Sequence, residues 1–160
     1  MAAKNTKNAV LWIIAVIASI LLSACTVGAP STTARPLAVV EGEVAKIPGV
    51  GFTAGRAWDG TTPYVEATLS ATDDFTGDPA RLINYALAQL ASQDEVDRGR
   101  FVRFTFEGPG QTVEGTQKIL ASLGIESQVY AGGSSLELSS KDLEQRYGTW
   151  PAPVPEAPAG

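Results

Sequence analysis

The chain has no histidine, one cysteine and one methionine among its 160 residues. Without histidine, imidazole acid–base catalysis and His-ligated metal centres are excluded. A single cysteine excludes an intramolecular disulfide and every zinc site built on paired thiolates. Basic residues are scarce too: 12 Lys and Arg against 17 Asp and Glu give a net charge of −5. That balance argues against nucleic acid as a partner. Long apolar runs are also missing. The apolar run near the start, Ala9 to Leu22, spans about 21 Å as a helix, short of the roughly 30 Å hydrocarbon core. The length that remains fits one domain.

What is present begins at the N-terminus. Lys4 and Lys7 precede the Ala9–Leu22 run, and small residues follow it. A positive region, an apolar region and a small-residue site in that order read as a secretory signal. The site itself, Leu22-Ser23-Ala24-Cys25, resembles the lipobox of bacterial lipoproteins: a large apolar residue, two small ones, then cysteine. The resemblance implies cleavage after Ala24, with Leu22, Ser23 and Ala24 recognised by the signal peptidase. It implies a diacylglyceryl group on the Cys25 thiol, open to further N-acylation and needing no other cofactor. Two acyl chains make a stable anchor where one binds only marginally. The expected location is the extracytoplasmic face of a bacterial cell membrane.

Removing residues 1–24 takes away two lysines and no acid, so the net charge moves from −5 to −7. An anionic domain is repelled by an anionic leaflet over the short Debye length. Residues 25–34 carry the lipidated cysteine and small polar, turn-rich residues, and read as a flexible tether. Residues 35–148 read as one folded domain. Residues 149–160, with Pro151, Pro153, Pro155 and Pro158 after Trp150, read as a solvated polyproline-like tail, with Trp150 packed on the domain edge.

Within the domain, Pro36 opens a helix with Leu37, Val40, Val44 and Ile47 on one face, which Pro48-Gly49 stops. Val50, Phe52 and Ala54 alternate as a strand, and Asp59-Gly60 turns into a second, Val65, Ala67, Leu69 and Ala71. Asp78-Pro79 caps a helix that buries Leu82, Ile83, Ala86, Leu87 and Leu90. Val102, Phe104 and Phe106 alternate next. A third helix carries Val113, Thr116, Ile119, Leu120 and Leu123, with Gly124 at its end. Val129 with Ala131 and Leu136 with Leu138 flank Gly132-Gly133 as a hairpin, and a last helix runs from Lys141 to Tyr147. The order α-β-β-α-β-α-β-β-α, with one apolar face per strand, predicts an α+β two-layer sandwich: a mainly antiparallel sheet with helices on one face. The helix–Pro-Gly–Val entry and the αββ units make it loosely similar to ferredoxin-like or BON-like modules. Residues 36–72 and 112–139 share the αββ pattern.

Candidate sites are few. Asp73, Asp74 and Asp78 offer oxygen ligands to calcium, but lack EF-hand spacing and are explained by a helix-capping turn. Gly49, Gly51 and Gly55 follow a helix and enter a strand, the reverse of a phosphate-binding loop. Ser140 next to Lys141 lacks the S-x-x-K spacing of a serine–lysine pair. Glu66 and Glu107 offer the paired carboxylates of a small hydrolase if they face each other. Tyr64, Phe101 and Tyr130 lie on polar strand faces and form a surface for a protein or glycan partner if adjacent and uncovered. The reading favoured is a non-catalytic, lipid-anchored domain that binds or scaffolds another envelope component. A small-ligand or ion-binding module, built around Asp73, Asp74 or Arg103, and a carboxylate-dependent hydrolase are the alternatives.

Overall fold

Nine elements follow one another along residues 33–158, the part described by the computed structural model, in the order read from the sequence. Leu22, Ser23, Ala24 and Cys25 lie outside the described residues. Helix α1 (Leu37–Val44) starts after Pro36, whose ring fixes an extended entry at φ −66°. It buries Leu37, Val40 and Val44. Gly49, at φ +73°, turns the chain into strand β1 (Val50–Asp59). A Cβ there would lie 2.7 Å from the Phe75 nitrogen and 2.8 Å from Thr72 Oγ1, so both the dihedral and the space require glycine. Strand β1 pairs antiparallel with β2 (Thr62–Ala71) across the two-residue loop Gly60-Thr61, with positive φ at Gly60 as Gly-first hairpin turns demand.

Helix α2 (Pro79–Ala91) is capped as its sequence predicts: the Ala80 N–H donates to Asp78 Oδ1 at 2.9 Å, and Pro79 stands at the first position. It crosses over to β3 (Phe101–Glu107), which lies parallel to β2. Parallel neighbours need such a crossover, and this helix supplies it. Helix α3 (Val113–Ser122) is capped by Thr112, whose Oγ1 accepts from the Gly115 N–H at 3.0 Å. Strands β4 (Ser127–Val129) and β5 (Leu136–Ser139) pair antiparallel, and β5 inserts between β3 and β4. Helix α4 (Ser140–Tyr147) follows β5 directly.

The sheet order is β1-β2-β3-β5-β4, with three antiparallel pairings and the parallel β2–β3 pair. The fold is α+β, as expected. Both αββ units are present, but their hairpins flank β3 from opposite sides and run ten residues per strand in one, three and four in the other. The chain order is therefore not the β-α-β-β-α-β of the ferredoxin-like fold. One core joins α1, α2, α3 and α4 to a single face of the sheet through Val40, Ile83, Leu87, Leu120 and Leu143 against Val65, Ala67, Leu69, Val102, Phe104, Leu136 and Leu138. Ala34–Gly160 forms one compact unit carrying this core.

Two boundaries differ from the sequence reading. Strand β4 stops at Val129, which is 52% exposed, so Ala131 lies in the turn rather than in the strand. Trp150 packs on the core edge as expected, but the proline-rich tail is not solvated throughout: Ala152 is buried and its N–H donates to the Ala91 carbonyl at 2.8 Å. The α2 C-terminus leaves carbonyls without helical partners, and the tail satisfies one of them.

Candidate functional site

Strand alternation puts every second residue of β2, β3 and β5 on the face away from the helices. The parallel register aligns Glu66 with Arg103 and Thr68 with Thr105, and carries Tyr64 next to Phe101. The antiparallel register of β5 sets Glu137 beside Arg103 on the other side, and β4 adds Gln128 beside Glu137. The open face is thus a hydroxyl- and carboxylate-bearing surface around one arginine.

The three aromatic residues named from the sequence do come together there. Tyr64 and Phe101 stack with centroids 4.8 Å apart and planes 10° from parallel, and Tyr130 lies 6.2 Å from Phe101. The Arg103 guanidinium is held between two rings, 4.6 Å from the centroid of Tyr64 and 3.6 Å from that of Tyr130. Such a cation–π arrangement gains strength as the cation loses water. Glu66 Oε1 stands 3.7 Å from Arg103 Nη1, while Arg103 Nε is buried with no hydrogen-bond partner among the described residues. The Tyr130 hydroxyl reaches across the sheet to donate to Asp59 Oδ2 at 3.0 Å. The hydrogen bond donated to Asp59 holds the Tyr130 phenol above its usual range, because ionisation would remove the proton that makes it.

The sequence reading needs one correction here. Tyr64 and Phe101 are only 5% and 8% exposed, so they are the floor of the patch rather than its contact surface. Among the described residues neither a helix nor the Trp150 tail covers them; Arg103 and Tyr130 do. What faces solvent is polar and acidic: Asp59, Glu66, Glu107 and Glu137 against the single caged guanidinium. This face continues around the β4 edge into a groove of about 830 Å³ lined by Gln117, Glu126, Ser127, Gln128, Glu137 and Ser139.

The other candidates resolve as structure. Glu66 sits opposite Arg103 and Glu107 opposite Ser70, four residues further along, so the carboxylate pair does not form. Ser140 is buried and donates to the Arg98 carbonyl at 3.1 Å, whereas Lys141 is exposed. Asp78 caps α2, and among the described residues no three His, Cys, Asp or Glu converge to hold a metal ion, so Asp73, Asp74 and Asp78 do not make a ligand set. Gly49 shapes a turn. Among the described residues no helix is long and apolar enough to cross a membrane.

The sequence reading missed Asp59 as the anchor of Tyr130. The two lie 71 residues apart, at the tip of one hairpin and the start of another's loop, and no local pattern links them. Arg103 was visible as a lone cation in an apolar strand, but its caging by two tyrosines depends on the parallel β2–β3 register. Comparison with known protein families, with curated proteins and with solved structures found no match.

Proposed function

We propose that this chain is an exported protein, held by lipid on Cys25 at the outer side of a bacterial cell membrane. Its α+β domain binds another envelope component through the open face of the sheet and performs no catalysis. The observation that supports this reading is the asymmetry of the sheet. Among the described residues all four helices pack on one face and leave the other uncovered, with its cation Arg103 clamped between tyrosines. Four carboxylates against that one guanidinium favour a protein partner whose contacting surface is basic, since complementary charge sets orientation and association rate. Repulsion from an anionic leaflet leaves such a face free for a partner.

Site-directed photocrosslinking in intact cells tests the binding part. A photoreactive residue at Thr68 on the open face is expected to give a discrete protein adduct, and one at exposed Val39 on α1 none. Equal adducts at both positions, or none at Thr68, would refute the open face as the docking surface. Globomycin tests the anchor: a larger lipidated precursor is expected to accumulate, and an unchanged mobility would rule out lipobox processing.

A further inference from the structure

We propose that a cleft on the helix side of the domain is a binding site for a small amphiphile with an aliphatic chain and a carboxylate head. The cleft, about 410 Å³, lies between the end of α1, the turn from β2 to α2, the first half of α2 and the last described residues of the tail. That volume falls within the roughly 300–1,000 Å³ of small-molecule sites. It shares no lining residue with the open face and does not depend on the partner proposed for that face.

The walls are apolar and are held in place. Leu82 and Tyr85 are buried side chains of α2, and the Tyr85 oxygen already accepts from Gln89 Nε2 at 2.8 Å. Ile47 and Phe75 pack on the core only partly and leave their remaining surface to the cleft. Two glycines make room for Phe75: a Cβ on Gly77 would meet its ring at 2.8 Å, and a Cβ on Gly49 would meet its nitrogen at 2.7 Å. The outer wall is Ala157-Pro158, at the end of a tail whose Ala152 N–H bonds the Ala91 carbonyl. The tail therefore runs along α2 from its C-terminal end to its first turns, as a strap. Burying each methylene of a chain in such a cleft is favourable by about 0.8 kcal/mol.

Charge at the rim selects the head group. Lys46 is already paired with Glu43 at 2.7 Å, and Asp78, still an anion, accepts from the Ala80 N–H and is held at the helix start. Arg81 is the remaining cation, and no carboxylate among the described residues lies within 4.0 Å of it. It stands in the first turn of a thirteen-residue helix, where the macrodipole also favours an anion. An apolar body in the cleft with a carboxylate at Arg81 satisfies both halves of the site.

The test is a methyl NMR titration of the Ala34–Gly160 unit with sodium dodecanoate and, separately, dodecanol. Saturable shifts centred on Ile47 and Leu82, with dodecanoate bound more tightly than dodecanol, are expected. Arg81→Gln should weaken dodecanoate about three- to fivefold, as an exposed ion pair would, and leave dodecanol unchanged. Ending the chain after Val154 should weaken both ligands. No saturable shift up to about 1 mM, or shifts centred on the open-face methyls of Thr68 and Thr105 instead, would overturn the site. Equal binding of the two ligands by the wild type, or an Arg81→Gln variant that holds dodecanoate as tightly, would overturn the carboxylate.

Discussion

The two faces of β2 and β3 are built from alternate residues of the same strands and have opposite characters. On one, Val65, Ala67, Leu69, Val102 and Phe104 are essentially removed from water beneath four helices. On the other, one side-chain position away, Glu66, Thr68 and Arg103 are polar, and only Tyr64 and Phe101 are buried. Because the period of a strand is two, a single register holds both surfaces in place. The helix side carries the stability of the domain. The open side is left uncovered by the described residues, and its aromatic floor orders one arginine instead of closing a second core.

The largest expected effect separates the faces directly. Phe104→Ala, on the helix side, should cost about 3–5 kcal/mol in urea denaturation, whereas Thr105→Ala next to it should cost less than about 0.5 kcal/mol. Comparable losses would mean that the open face is packed in solution. On the helix side, Asp78→Ala removes the α2 cap and should lower stability by about 1 kcal/mol, whereas Asp78→Asn should keep most of it. Retention of full stability by the alanine variant would show that the cap is dispensable. Arg103→Gln should cost about 1 kcal/mol through its two cation–π contacts, while abolishing the Thr68 crosslink. Loss of the fold with loss of the crosslink would put Arg103 with the core instead.

The smallest effect is a titration. The Tyr130 phenol is raised in the folded state, so its contribution to stability is complete below the ordinary phenol range near about 10. That contribution is lost as pH rises through the folded value. Phenolate absorbance, taken as the difference between wild type and Tyr130→Phe, should show a midpoint that falls in Asp59→Asn. An unchanged midpoint would detach Tyr130 from Asp59 and leave the patch without its lid.

Much of the fold was legible because its signals are local. Pro36 and Gly49 bracket α1, Asp78-Pro79 opens α2, and Val102, Phe104 and Phe106 alternate as strand residues must. The docking of the tail was not legible, since proline spacing after Trp150 says nothing about a carbonyl waiting at Ala91. The end of β4 was missed for a similar reason. Val129 and Ala131 alternate correctly, but pairing ends where the chain turns through Gly132 and Gly133.

The candidate site divides the same way. Tyr64, Phe101 and Tyr130 could be named from their places among polar residues, but whether they are exposed depends on what lies over them. The carboxylate pair Glu66 and Glu107 failed on register alone, which two sequences with identical alternation need not share.

The sequence by itself determined the chemistry that is closed to this protein and the sequential order of its elements. Absent histidine and paired cysteine are facts of composition, and caps, turns and alternation act within a few residues. Tertiary structure decided the neighbours: which strand lies beside β3, what cages Arg103, and where the tail comes to rest. Those contacts join residues dozens of positions apart, as Tyr130 and Asp59 show. They are selected by the burial of one shared core, a property of the whole chain that no local pattern contains.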